Sequence, residues 1–537
     1  MLSKDMSAKR GNSFVRQAAI LAAASLFVRF IGFLYRIPFT DRLGDAGIAD
    51  YLRAYQIYTF AIALTSGALP IAISRLVSER IARGQYRNAH ELFKTAMLFA
   101  GTMGILAGII MGFSADLLAG FLNAPGAAAA VRTLAPAVFV VAMLAVFRGY
   151  FQGMKTALPT AISQVVEQIF KVIATLWLAY IFFDAANLSP AVAAGAAGTG
   201  IAAVTGLAVV AFIYALIAKD LRARANRDVN DVAIENKLTQ VGAIFKTALP
   251  MILSMAILSA SGILDLRMIP NRMLYYGAFT QHEIDILVGQ FQNKFILLTT
   301  LPISLSVALS TAVVPDITSS SVQMDTTAVK RKTNMALRLS MILSIPSAVG
   351  LAILADPIIA LLFPSHPEGG WLLRYGAVSI VFIALVHVLT GALQGLGHVG
   401  LPVIAVFIGV LTKIPVNYVL IGTPSINILG AVISTIVCFL VAAVINMFFL
   451  YRRTGILPNL SSAFVKPLIA SAGMGMICYV MYYTVEMFMP AAVATVAALC
   501  IGAITYVLFM CIIKGFRESD LQAAPMPRKV RALLQKL

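Results

Sequence analysis

Fourteen apolar runs, each twenty or more residues long, dominate the chain. They lie near 17–39, 52–74, 95–121, 131–151, 160–183, 190–217, 247–269, 291–314, 335–363, 374–396, 401–421, 428–450, 464–488 and 491–513. A bilayer core about 30 Å thick takes about 20 residues of helix, so each run is long enough to cross. Closed barrels are the other way to satisfy backbone polar groups in lipid. Their strands are about 10 residues long and alternate in polarity, which these continuous runs do not. A water-soluble globule is excluded as well, because only 12% of the 537 residues are charged where an average soluble domain has about 25%. The predicted fold is an all-α polytopic membrane protein of about 14 transmembrane helices.

Fourteen spans put both termini on one side. That side collects 29 of the 41 lysines and arginines, whereas the opposite loops hold only Arg42, Arg132, Arg272 and Arg374. The positive-inside rule makes the basic side cytoplasmic. The net charge of +18 is thereby assigned to orientation, and no nucleic acid is called for. Residues 1–16 are polar and basic, and the apolar run behind them is long enough to remain as a span. The four cysteines, Cys438, Cys478, Cys500 and Cys511, fall inside apolar runs without metal-ligand spacing, so ordinary buried thiols and no metal site are expected. Basic residues interleaved with Val530, Leu533 and Leu534 in 516–537 predict a short amphipathic stretch on the anionic inner leaflet.

The chain also repeats itself at about 240 residues. Gly149-Tyr-Phe-Gln152-Gly153 with Pro159 recurs as Gly391-Ala-Leu-Gln394-Gly395 with Pro402, and nineteen residues after each glutamine stands a lysine, Lys171 and Lys413. Ala115-Asp116 mirrors Ala355-Asp356, and Gly32 with Arg36 and Pro38 mirrors Gly262 with Arg267 and Pro270. Two lobes of six spans follow, 1–236 and 237–455, with 456–537 as two further helices and a basic tail. Six is even, so the lobes enter the membrane in the same direction. That is the parallel pseudo-two-fold arrangement of rocking transporters, whose site lies near the midplane between lobes.

Eight basic residues remain in or near spans: Arg29, Arg36, Arg53, Arg148, Lys171, Arg267, Lys294 and Lys413. A charge at mid-bilayer costs about 2.5–3.5 kcal/mol on insertion scales, so each should face a cavity or a partner. The nearby acids are few: Asp50, Glu167, Asp265 and Glu486. Arg29 and Arg36 are two helical turns apart and read as lining a cavity. Arg53 and Lys294 begin their spans and either line the cavity or snorkel. Arg148, near a span end, is placed to snorkel to lipid phosphate. Glu167 and Lys171, four apart, form either an internal ion pair or part of the site; Asp265 is two residues from Arg267 and off its face. A surplus of positive charge suits an anionic substrate, with guanidinium forks matched to phosphate. No nucleotide-binding, zinc-protease or serine-hydrolase motif occurs. The reading is therefore a transporter without cofactor, driven by the membrane potential or an ion gradient, rather than an enzyme.

The 6+6+2 spans, the stretch Arg29-Phe-Ile-Gly32-Phe-Leu-Tyr-Arg36-Ile-Pro38 and the following Asp41-Arg42-Leu-Gly44 and Ala49-Asp50-Tyr resemble the MOP exporter superfamily. The resemblance is to its polysaccharide-export branch, which contains the MurJ-type lipid II flippases, in the Gram-positive form that includes stage V sporulation protein B. It implies a flippase in the bacterial cytoplasmic membrane, working by alternating access on an anionic polyprenyl-pyrophosphate lipid. It further implies a cationic cavity lined by spans 1, 2, 7 and 8, a groove for the lipid tail at spans 13 and 14, and cell-wall synthesis proteins as candidate partners. Arg29 matches the family's first-span arginine and Asp50 its acidic residue before span 2. The chain departs at Tyr35-Arg36, where the Gram-negative pattern has Arg-Asp, and at Ala61-Ile-Ala63, which occupies the place of a span-2 arginine; Arg53 and Lys294 are the candidate substitutes. Lipid II, another undecaprenyl-linked oligosaccharide (teichoic acid, capsule, spore cortex) and a MATE-type antiporter are the three cargo readings. The last predicts twelve spans and acidic cavity residues.

Overall fold

A computed structural model describes residues 20–21, 23–226, 235–275, 279–455 and 460–516. The amphipathic stretch predicted in 516–537 and the middle of the charged linker at 218–246 fall essentially outside them. The order is α1 (Ala23–Leu34), then α2 (Arg36–Thr65), α3 (Leu69–Ala82), α4 (Tyr86–Phe113), α5 (Ala115–Phe121), α6 (Ala128–Gly153), α7 (Leu158–Ile181), α8 (Ser189–Asn226) and α9 (Lys237–Tyr275). It continues with α10 (Gln281–Gly289), α11 (Ile296–Val322), α12 (Thr326–Ile353), α13 (Ala355–Leu362), α14 (Gly370–Gly376), α15 (Ser379–Gly395), α16 (Gly400–Ile421), α17 (Leu429–Thr454), α18 (Leu460–Glu486) and α19 (Ala491–Ile512). No strand occurs among the described residues, and the chain is an all-α, multi-pass membrane protein.

Eleven of these segments are long and apolar enough to cross a membrane, or twelve when α14 and α15, bent by 48°, count as one span. The other two of the fourteen predicted runs fall on α1, which is short within the described residues, and on α11, part of whose side chains lie outside them. The second run is not one straight helix. Pro70 stands in the first turn of α3, where its missing N–H costs nothing, so α2 ends before it. Within α2 the helix also breaks at Gly44, whose φ of 69° is open to glycine at little cost.

The repeat is visible in the order of elements. A long helix, a break and a short helix carrying Asp116 (α4–α5) recur as α12–α13 with Asp356. In the first case Arg132 pairs with Asp116, in the second Arg374 with Asp356. The left-handed turn after the glutamine motif is filled by Lys155 in one copy and by Gly397 in the other. Contacts divide the chain into two compact units, Met1–Pro270 and Asn271–Leu537, so the division falls within α9.

Close helix packing in the first unit rests on small residues, as expected where lipid removes the hydrophobic drive between helices. Gly195 and Gly198 of α8 lie against α7, where the Thr175 hydroxyl donates to the Gly195 carbonyl at 3.1 Å. A Cβ built on Gly198 would lie 2.5 Å from the Thr175 backbone N and 2.6 Å from its Cα. Gly198→Ala is expected to force the helices apart and cost about 1–3 kcal/mol, the usual range for overpacking. Gly242→Ala, in α9 with open space around it, is expected to gain up to about 1 kcal/mol from helix propensity. Thermal unfolding of the detergent-purified protein tests both, and equal midpoints for the two variants would refute the packing account. Of the cysteines, Cys438 and Cys478 are buried as expected, whereas Cys500 is exposed.

Candidate functional site

A polar stripe runs along one face of α7. Gln164, Gln168, Lys171 and Thr175 follow one another at intervals of four, three and four, which places them on a single helical face. The opening helices pack on it: the Ser25 hydroxyl donates to Gln164 Oε1 at 3.4 Å, and a Cβ on Gly32 would lie 3.3 Å from Gln168 Nε2. In α2, Tyr51, Tyr55 and Tyr58 recur at four and three and share a face in turn. Tyr51 and Tyr55 stack with centroids 5.9 Å apart, and Tyr55 meets Tyr58 at 5.7 Å.

The two faces meet at Lys171. Its ammonium lies 4.5 Å from the Tyr55 ring centroid and 6.0 Å from that of Tyr35, and it donates to the Tyr55 hydroxyl at 3.3 Å. Tyr35 is the turn residue between α1 and α2 and is buried; Arg36 follows it directly. Half-buried Lys171 is thus held by phenol faces and one phenol oxygen, with no acidic partner among the described residues. Cation–π contacts of this kind contribute about 0.5–2 kcal/mol, less than a carboxylate within the membrane would.

The acids have gone elsewhere. Arg148 donates to Glu167 Oε2 at 2.6 Å and, through Nε, to the Ser163 hydroxyl at 3.0 Å. This corrects two readings: Glu167 pairs across helices rather than with Lys171, and Arg148 turns inward rather than snorkelling. The reason is that α6 packs where its guanidinium reaches α7. Asp50 accepts from Arg53 Nη1 at 3.0 Å, three residues on in α2, and the Arg53 side chain is fully buried.

The remaining expected site residues sit on other elements. Arg29 is exposed on α1 and Arg36 is half-buried; neither has an acidic partner among the described residues. Arg267 donates to the Phe121 carbonyl and lies 4.7 Å over that ring, while Asp265 is buried beside it in α9. In the second unit Lys294 is fully buried in a π-helical turn, Gln290–Phe295. Its ammonium donates to the carbonyls of His366 and Glu368 at 2.7 and 2.9 Å, so it closes a loop rather than facing a cavity. Lys413 is buried in α16, one turn before Asn417, which accepts from Ser434. The structure therefore gathers Lys171 and Arg36 around Tyr35, pairs Asp50 with Arg53, and gives Arg267 and Lys294 backbone carbonyls of their own. The tyrosine row and the two glutamines were not foreseen, although their four-and-three spacing beside a membrane lysine was there to be read.

Residues 14–321 match the family described as "Polysaccharide biosynthesis protein". The chain belongs to that family. Residues 288–419 match the family described as MatE. Among relatives, the chain is 26% identical to the uncharacterized membrane protein YabM of Bacillus subtilis over 97% of this chain and 96% of that one. It is 26% identical to the lipid II flippase MurJ of the same organism over 92% and 94%. In fold it is similar to a lipid II flippase MurJ in an inward closed conformation, with a TM-score of 0.67, 16% identity and coverage of 92% and 98%. It is also similar to an inward-facing MATE family transporter of the MOP superfamily, with a TM-score of 0.62, 16% identity and coverage of 81% and 98%. The fold is that of these solved membrane proteins, in line with the resemblance in the sequence.

Proposed function

We propose that the protein flips lipid II, the undecaprenyl-pyrophosphate-linked peptidoglycan precursor, from the inner to the outer leaflet of the bacterial cytoplasmic membrane. In this reading the lobes 1–236 and 237–455 alternate access to a cationic site, 456–537 is an addition to them, and both termini are cytoplasmic. The observation that carries it is the charge left over in the first unit. Glu167 and Asp50 are each taken by an arginine, while Lys171, Arg36 and Arg29 have no acidic partner among the described residues. A surplus of cations on helices in lipid suits a multiply charged phosphate. The likeness to MurJ over nearly the whole length of both chains supports the choice of cargo. An interior-negative potential contributes roughly 2.3 kcal/mol per charge per 100 mV toward outward movement of an anion.

The MatE match at 288–419 favours a second reading, a drug or cation antiporter. That reading calls for unpaired acids at the site, and Glu167, one turn from Lys171 on α7, and Asp50 of α2 are each in an ion pair. The test uses cells depleted of their own lipid II flippase and measures the fraction of lipid II open to an externally added cleaving toxin. Wild type is expected to restore exposure, and the Arg29→Ala, Arg36→Ala double variant, inserted to the same level, is expected to lose it. Well-inserted wild type that leaves lipid II inside would overturn the cargo and make another undecaprenyl-linked oligosaccharide the first candidate.

A further inference from the structure

The four arginines of the charge-poor loops divide into two kinds. Arg132 and Arg374 are neutralised by Asp116 and Asp356. Arg42 and Arg272 are instead laid on aromatic rings. The Arg42 guanidinium carbon lies 3.9 Å from the Phe183 centroid and 4.7 Å from that of Tyr180. Arg272 lies 3.8 Å over Tyr418 and 5.6 Å over Tyr275, with Nε donating to the Tyr418 carbonyl at 3.1 Å.

Both stacks lie at the ends of matching helices, but only Arg272 also gives a hydrogen bond to the protein. Tyr180 is near the C-terminal end of α7 and Tyr418 near that of α16, and these two helices occupy equivalent places in the repeat. Each arginine follows the proline that the repeat aligns, Pro38 and Pro270. Arg42 makes no hydrogen bond or ion pair among the described residues. Its acidic neighbours are Asp41, exposed, and Asp184, whose Oδ1 accepts from the Ala186 N–H at 2.9 Å. Snorkelling alone needs no such stack. A guanidinium laid on a ring spends its face on the ring and turns its in-plane N–H fork outward, and that fork matches phosphate oxygens two at a time. Tyrosine beside arginine at the end of a span is where lipid headgroups lie.

We propose that Arg42 with Tyr180 and Phe183 is a binding site for the phosphate of an anionic phospholipid at the membrane interface. It holds bilayer lipid and is separate from the Lys171 site.

The test reconstitutes the full-length protein in vesicles doped with a photoactivatable phosphatidylglycerol and maps labelled peptides. Wild type is expected to be labelled around 180–184. Arg42→Gln is expected to lower this labelling about tenfold, the loss of one charge-assisted contact, and to leave labelling of the other peptides unchanged. Tyr180→Leu keeps the charge and removes one ring, and should give an intermediate loss; Arg42→Lys keeps the charge without the fork and should do the same. Labelling of Arg42→Gln within twofold of wild type overturns the proposal. So does equal labelling of 180–184 by a phosphatidylcholine probe, because an interface without charge selectivity would then suffice.

Discussion

Lys171→Met is expected to slow export of a pyrophosphate-linked lipid about hundredfold, with insertion and folding unchanged. The ammonium is held by the Tyr55 and Tyr35 rings and one phenol hydroxyl. Removing it breaks no ion pair among the described residues, and Met fills the same stem. An anionic cargo loses a charge-assisted contact of up to about 3 kcal/mol in a poorly solvated place, and about 1.4 kcal/mol is a factor of ten. Tyr55→Phe keeps the ring and loses only the 3.3 Å hydrogen bond, so transport is expected to stay within about threefold. The measurement is the rate at which labelled lipid appears on the outer face, per inserted molecule. A wild-type rate for Lys171→Met would show that Lys171 only supports the tyrosine cluster.

The fold was legible because helices in lipid announce themselves by length and hydropathy. The repeat was legible because Asp116 and Asp356 sit at matching offsets, and the structure gives each an arginine. The site was read less completely. Spacing along one helix made Lys171 the natural partner of Glu167, but the partner is chosen by the face that α6 presents, which no local pattern encodes. Lys294 looked like a cavity cation because its turn toward the carbonyls of His366 and Glu368 depends on a π-helical turn and on a loop more than seventy residues on. Span boundaries shifted for a local reason: Pro70 opens α3 rather than kinking one long helix. The tyrosine row of α2 shows its helical spacing in the sequence, yet nothing there says which cation it receives.

Arg148→Met is expected to destabilise the protein by about 3–5 kcal/mol, the range for removing one partner of a largely buried ion pair. The guanidinium and carboxylate are 15% and 27% exposed, and the loss leaves Glu167 charged within a membrane helix or forces a proton onto it. Replacing both partners, Arg148→Met with Glu167→Leu, should recover most of the loss, since a pair of apolar side chains of similar volume often does as well as the pair of charges. Transport adds a second readout. In the single variant the freed carboxylate lies one turn from Lys171 on α7 and can cancel its charge, so export should fall even in molecules that remain folded. In the double variant the surplus charge at Lys171 is the same as in wild type, so export should return along with the unfolding midpoint. A double variant as unstable as the single one would mean that Arg148 is needed for its hydrogen bond to Ser163 or its packing rather than for Glu167. Recovery of stability without export would instead place Glu167 in the transport step itself.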